Sequence, residues 1–413
     1  MKKKPVIMIL GSQELPVPDV LGGGIEALLT GLLDENEKKR QARFVITSVY
    51  NADAAAHDYR FSTVYYFDSS QRLIKKGRQS PSFWRKADRK LCRIKNKLFH
   101  NRYTKRLFGD RIQDEDYLIR QYIAIAKKEK ADYVVITDSE RHEKYSRFND
   151  LIGADHVFFY LLFHKEENKE YRKSIRNSIC LSQYVLDRWV QDKSIPGRNV
   201  VLYNGTNLDR YKIPFDLTER EIRRQKLGIG RDDFAVVFCG RLIEVKGVEP
   251  LLDAFELLRG RPIKLILIGS VFYAKNKVTE FSRRMVARAK EMPNVIYLGY
   301  VPCTEMYNYY GIADAEVIPS IWQEGAGLIA VEGMTSGLPL IITQSGGMVE
   351  YVDDNCAIKL PINDDLPQNI AGEIVRLAED RALCRRMGEA GKERAKKFST
   401  EEYYRNFLSI FNQ

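Results

Sequence analysis

The chain has no long apolar run, no closely spaced cysteine pair and few histidines, and each shortage excludes something. No stretch approaches the roughly 20 apolar residues that cross a bilayer as a helix. The basic start, MKKKPVIMILGSQELP, carries only five consecutive apolar residues, Val6 to Leu10, before Gly, Gln, Glu and Pro. It reads as a buried first strand rather than a secretion signal. The six cysteines (Cys92, Cys180, Cys239, Cys303, Cys356, Cys384) form no CxxC, so neither a zinc site nor a disulfide framework is suggested. Cys180 and Cys239 lie inside apolar runs, where a free thiol packs as a small hydrophobe. A reducing cytosol is the expected compartment. No cluster has metal-ligand spacing, the glycines miss the GxGxxG dinucleotide pattern, and no recognisable nucleic-acid-binding motif accompanies the net charge of +11.

What is present is alternation. Across 413 residues, apolar runs of five to seven residues alternate with helix-period segments, the pattern of parallel sheets with crossover helices. Strands are expected at Val6 to Leu10, Phe44 to Val49, Val64 to Phe67, Tyr133 to Ile136, Val157 to Phe163, Ile179 to Leu181 and Val200 to Tyr203. A second series follows at Ala235 to Cys239, Leu265 to Ile268, Val295 to Leu298, Glu316 to Ile318, Leu340 to Thr343 and Ala357 to Leu360. The length suits two domains. The turn-rich Asn204-Gly205-Thr206-Asn207 places the boundary near residue 204, giving domains 1–204 and 205–396. Ser399-Thr400-Glu401-Glu402 spells a capping box that opens a last helix, residues 397–413.

The densest cluster of chemistry is EGAGLIAVE, in which Glu324 and Glu332 stand eight residues apart before a helix closing on SGLP. That spacing predicts both carboxylates on one helix face, where they can accept from the hydroxyls of a sugar and its nucleotide. A helix-terminal carboxylate explains Glu324 equally well; it does not explain Glu332, among Ile329, Ala330, Val331 and Met334. Arg241 and Lys246, in GRLIEVKG, follow the Ala235 to Cys239 run and precede a helix opening at Gly247-Val248, a place where cations and helix N–H groups converge on phosphate. Gly22, Gly23 and Gly24 follow the first strand, with Glu26 in the first turn of the next helix. His164 ends another run.

With these motifs together, the chain resembles the retaining glycosyltransferases of family 4, of the GT-B fold with an EX7E motif. The resemblance implies an α/β architecture of two Rossmann-like doubly wound domains facing across a cleft, with the C-terminal helix returning to the N-terminal domain. It implies that Arg241 and Lys246 hold a diphosphate, that Glu332 accepts from ribose hydroxyls, and that Glu324 holds the transferred sugar and eases positive charge at its anomeric carbon. Gly22, Gly23 and Gly24 would lie against donor phosphates and acceptor, and His164 against the sugar and acceptor. The backbone of Gly299, Tyr300 and Val301 would meet the base. The N–H groups of Gly325, Ala326, Gly327 and Leu328 would face sugar or phosphate oxygens. Ala326 stands where the family has an aromatic residue, which widens the sugar pocket. Ser182, Asn204-Gly205, Thr343 to Gly347 and Glu350 also fit the family, although each serves equally as a cap or turn.

The implied activity is metal- and cofactor-independent transfer of a hexose-type sugar, UDP-linked, to a glycan or lipid-linked acceptor in envelope or exopolysaccharide assembly, with retention by front-face attack. A catalytically silent sugar-binding subunit and another GT-B enzyme such as an epimerase are the rivals. From Arg72 to Arg111 there are fifteen Lys or Arg against Asp88 and Asp110. Trp84, Ala87, Leu91, Ile94 and Leu98 recur there at helical spacing. This basic amphipathic segment suits an anionic membrane surface at the inner face of the cell membrane, and it suits equally an ordinary crossover helix with solvated charges.

Overall fold

Among the described residues, thirteen short strands form where the β-branched and aromatic runs predict them, and all of the strand pairings described are parallel. The computed structural model describes residues 3–11, 14–21, 23–68, 72–74, 115–137, 142–162, 169–191, 196–270 and 279–411. Gly22, His164 and the basic segment from residue 75 onwards lie outside the described residues.

The strands are β1 (Val6–Leu10), β2 (Arg43–Val49), β3 (Ser62–Phe67), β4 (Tyr133–Ile136), β5 (Val157–Leu161), β6 (Asn177–Cys180) and β7 (Asn199–Val201) in one sheet. Its order is β3-β2-β1-β4-β5-β6-β7. The second sheet holds β8 (Phe234–Cys239), β9 (Ile263–Ile268), β10 (Val295–Gly299), β11 (Ala315–Ile318), β12 (Leu340–Thr343) and β13 (Ala357–Leu360), in the order β10-β9-β8-β11-β12-β13. Both are doubly wound, as expected. Two compact units result, residues 1–159 with 169–177, and residues 160–168 with 178–413.

In the first unit, helix α1 (Gly24–Lys39) follows β1 and buries Leu28, Leu29, Leu32 and Leu33. Gly23 has φ +114°, and a Cβ there would lie 2.2 Å from Oε2 of Glu26, so the turn needs glycine. At Gly24 a Cβ would meet nothing within 4 Å, so packing within the protein does not demand that glycine.

The second unit is built around β8. Helices α2 (Val248–Leu257), α3 (Leu366–Glu379) and α4 (Arg381–Ala395) bury Val248, Leu251, Leu252, Phe255, Ile370, Ile374, Leu377 and Met387 against one face of the sheet. Strand residues alternate between the faces, so Val236 and Phe238 join this cluster while Ala235 and Val237 join another, with Tyr310 and Ile312. The amino ends of β8 and β11 are clamped by Asp314, which accepts from Ala235 N at 2.8 Å, Arg220 at 2.9 Å and Arg224 at 3.0 Å. The last helix, α5 (Thr400–Ser409), is capped on one side only. Ser399 Oγ accepts from Glu402 N at 3.2 Å, but Ser399 N donates to Lys396 O rather than to the Glu402 carboxylate. The Tyr403 hydroxyl of this helix lies 3.1 Å from that of Tyr160 at β5.

Two glycines separate backbone constraint from helix propensity. Gly247 has φ +69°, and a Cβ there would fall 1.8 Å from Pro319 O. Exposed Gly372 lies inside α3, with nothing within 4 Å of an added Cβ. Gly247→Ala should therefore lose at least about 1–3 kcal/mol, and Gly372→Ala should gain about 0.5–1 kcal/mol. Urea unfolding checks both, and equal effects at the two positions would contradict this assignment.

Candidate functional site

Chain progression from β8 runs outward to β9 and β10, then returns to the other side of β8 with β11. The order therefore reverses between β8 and β11, and a crevice at the carboxyl ends of the strands opens at such a reversal. The two loops leaving these ends are residues 240–247 and 319–327. They are tied together: Ile321 N donates to Val245 O at 3.0 Å, and Gly247 lies against Pro319 O. Lys246 Nζ reaches Glu324 Oε1 at 2.5 Å across the join, where the two side chains are 25% and 20% exposed. Ser320 Oγ donates to the same carboxylate oxygen at 2.8 Å. Thus Lys246 and Glu324, both singled out in the sequence, meet.

Arg241 is exposed on the same loop and forms no ion pair among the described residues. Its loop is held to the tip of β9 by Leu242 N to Ser270 O at 3.1 Å. Gly269 permits that approach, since a Cβ there would lie 1.8 Å from Gly240 O. The next tip follows: Gly269 N donates to Gly299 O at 2.8 Å, Gly299 has φ +73°, and Tyr300 beyond it is 47% exposed.

The structure corrects one expectation about the glutamates. Glu324 and Glu332 do not share a helix face, because their helix, αC (Leu328–Thr335), begins only at Leu328. A shorter helix, αB (Tyr307–Tyr310), precedes it. Gly325 and Gly327 disfavour helix, which leaves Glu324 in the preceding loop.

 The Glu324 loop is instead fixed from β12. Ser345 Oγ accepts from Glu324 N at 3.1 Å and donates to Trp322 O, while Gly347 N donates to Glu324 O at 2.7 Å. Gly346, at φ +48°, would place a Cβ 2.3 Å from Glu324 O.

Among the described residues, the backbone N–H groups of Gly325, Ala326, Gly327 and Leu328 donate to no protein acceptor. Four consecutive donors at the start of a helix form a cradle for anionic or hydroxyl oxygens. Ser182 and Glu350 are structural here. Ser182 Oγ donates to Gly325 O at 2.8 Å and caps the helix Gln183–Trp189, and Glu350 accepts from Gln183 N and Tyr184 N, each at 2.7 Å. Glu350 also accepts from Tyr203, whose hydroxyl burial pushes up to about 12.

Glu332 engages other neighbours. It accepts from the Tyr310 hydroxyl at 3.1 Å and interacts with Tyr211. Burial raises its carboxyl from 4.5 to about 7, against the opposing pull of both hydroxyls and of Arg210. One residue escaped the sequence reading as a candidate. Glu316 is a charged residue in an apolar strand, which was its only signal, and it is fully buried on β11 with neither oxygen hydrogen-bonded. Among the described residues, no group of three or more His, Cys, Asp or Glu is placed to hold a metal ion, and no helix is long and apolar enough to cross a membrane.

Residues 219–394 match the family described as glycosyl transferases group 1. This segment is similar to the group 1 glycosyl transferases. Its limits enclose Arg241, Lys246, Glu324 and Glu332. The lipopolysaccharide 1,2-N-acetylglucosaminetransferase of Salmonella typhimurium is 33% identical over 135 residues, which are 32% of this chain and 35% of that protein. The chain spans about half the length of the curated relatives it matches. Among solved structures, a glycosyltransferase from Rickettsia africae has a TM-score of 0.74 at 17% identity, covering 99% of this chain and 98% of that one. HepE of Anabaena, in complex with UDP-glucose, has a TM-score of 0.65 at 16% identity, with 98% and 99% covered. At these identities the likeness shows the fold, and the fold is GT-B.

The Glu332 carboxyl gives the second unit a pH signature. Its value is higher folded than unfolded, so between 4.5 and about 7 the native state holds more protons and stability falls as pH rises. Below that window the group contributes no difference, and above it the loss is complete, on the order of 3 kcal/mol. The stability difference between the wild type and Glu332→Gln should shift by that amount across the window in urea unfolding. Parallel pH profiles of the two proteins would contradict it.

Proposed function

We propose that the protein is a glycosyltransferase that moves a hexose-type sugar from a UDP-linked donor to a glycan or lipid-linked acceptor in envelope or exopolysaccharide assembly, with retention and without a metal. The observation that carries this reading is the Lys246–Glu324 pair at the β8/β11 reversal, beside the four unbonded N–H groups of Gly325 to Leu328. The lipopolysaccharide transferase relative and the UDP-glucose complex of HepE support the substrate class.

A sugar nucleotide breaks the bond between its anomeric carbon and a diphosphate oxygen, and negative charge grows on that oxygen. Fixed cations and aligned N–H groups stabilise it without reorganisation. Lys246 has further N–H donors beyond the one given to Glu324, and exposed Arg241 supplies a second cation. Glu324, held by Lys246 and Ser320, accepts from sugar hydroxyls and eases the positive charge developing on the anomeric carbon. In front-face transfer the acceptor oxygen bonds to that carbon on the side the diphosphate leaves, and the departing phosphate oxygen takes the acceptor's proton. Glu332 accepts from the ribose hydroxyls, Gly299 to Val301 meet the base, and Ala326 leaves room for the sugar. Gly24, where a Cβ would meet nothing in the protein, suits close approach of a ligand to the backbone.

Glu324→Ala and Lys246→Met should each lower kcat/KM for sugar transfer or slow donor hydrolysis by about a hundredfold or more, and Arg241→Ala should mainly raise the donor KM. Chelation by EDTA should leave the wild-type rate unchanged. Donor binding without turnover across UDP-, GDP- and dTDP-sugars would instead identify a silent binding subunit, and loss of activity in EDTA would overturn the metal-free mechanism.

A further inference from the structure

A backbone N–H can meet a ligand oxygen without reorganising only if the peptide that carries it is held from its other side. In a trans peptide the C=O and the following N–H point in opposite directions, so a bond to the carbonyl fixes where the N–H aims. Two successive peptides of the Glu324 loop are held in this way. Gly347 N donates to Glu324 O at 2.7 Å, which turns the Gly325 N–H away from Gly347. Ser182 Oγ donates to Gly325 O at 2.8 Å, which does the same for the Ala326 N–H. Both carbonyls face one turn: a Cβ on Gly346 would lie 2.3 Å from Glu324 O, and one on Gly347 would lie 2.4 Å from both Gly325 O and Ser182 Oγ. Glycine alone lets the three segments meet there.

The same turn places Ser182. It is fully buried, the Leu181 carbonyl before it accepts from the Tyr351 hydroxyl at 3.1 Å, and Glu350 accepts from the two N–H groups after it. Its oxygen accepts from Val185 N at 3.3 Å, which completes the helix cap and leaves the hydroxyl proton to Gly325 O. A cap needs only an acceptor, and a carboxylate would serve. The donated proton therefore does something that capping does not require.

We propose that Ser182 is a positioning residue for the donor: by holding the Gly325 carbonyl it aims the Ala326 N–H, beside that of Gly325, at the diphosphate oxygens. The inference rests on the reading of the Gly325 to Leu328 N–H groups as the diphosphate cradle. Among the described residues, the bond from Ser182 is the one that holds the peptide between Gly325 and Ala326. Without it that peptide can turn, since glycine on its amino side resists rotation least. A peptide free to turn must be ordered again when the diphosphate binds, and the cost falls on the phosphate contacts. The base and ribose meet other segments, at Gly299 to Val301 and at Glu332, and their contacts are unaffected.

UDP and uridine, titrated by calorimetry into the full chain, separate the outcomes, because uridine lacks the diphosphate. The wild type should bind UDP more tightly than uridine. Ser182→Gly removes the hydroxyl at little cost to the helix, since glycine is a tolerated N-cap and the backbone there is extended. It should weaken UDP binding about tenfold and leave uridine unchanged. Asp216→Gly, which takes an equivalent cap from the helix Leu217–Lys226, should leave both affinities unchanged. A lowered melting temperature in Ser182→Gly with both affinities unchanged, or with UDP and uridine weakened equally, would show a merely structural role and overturn the inference while the donor reading stands. If the wild type binds UDP no better than uridine, the cradle reading fails and the inference with it. Should Ser182→Gly not fold, Gly347→Ala decides, because its Cβ intrudes on both Ser182 Oγ and Gly325 O. A loss of about tenfold for UDP alone supports the proposal, and wild-type affinity for both ligands overturns it.

Discussion

The second unit depends on the join between the loops that leave β8 and β11. These strands are neighbours in space although β9 and β10 separate them in sequence, so the chain reverses its direction of travel across the sheet between them. Gly247 admits Pro319 O, the backbone bond from Ile321 to Val245 fixes the approach, and the Lys246–Glu324 pair crosses it. Partly exposed ion pairs contribute little to stability on average. The value of this one lies in placement: it sets a cation and a carboxylate beside an open row of backbone donors.

Two acids in this unit show how differently the fold treats buried charge. Asp314, at the amino ends of the strands, is surrounded by the guanidinium groups of Arg220 and Arg224 and by Ala235 N, so its role is to clamp. Glu316, two residues later, has no cation and no hydrogen bond, and burial holds it in its neutral form. Glu332 lies between these extremes, with hydroxyl partners and a carboxyl raised to about 7. Acids whose ionisation is shifted by burial and by specific neighbours cluster at functional sites more often than elsewhere.

Much of this was legible in the sequence. Parallel strands buried on both faces read as continuous apolar runs, and each of the thirteen runs became a strand, with ends displaced by at most two residues. The GRLIEVKG and EGAGLIAVE motifs marked the loops at the reversal because glycine is demanded where backbones touch. The eight-residue spacing of the two glutamates suggests one helix, but the glycines between them delay its start to Leu328. Ser345, which holds both Trp322 and Glu324, could not be paired from sequence, since its partners are neighbours only once β11 lies beside β12. The fit of Glu316 against Gly333, where a Cβ would lie 1.8 Å from its Oε2, was hidden for the same reason: it joins a strand to the helix that follows it through side-chain volume, which has no periodic signature.

The account turns on where the donor's diphosphate sits, and a crystal structure with UDP-glucose bound tests that most directly. The diphosphate is predicted within hydrogen-bond reach of Lys246 Nζ and of the N–H groups of Gly325 to Leu328, with the ribose at Glu332. A diphosphate bound elsewhere, with the Lys246–Glu324 pair and those N–H groups untouched by it, would contradict the account.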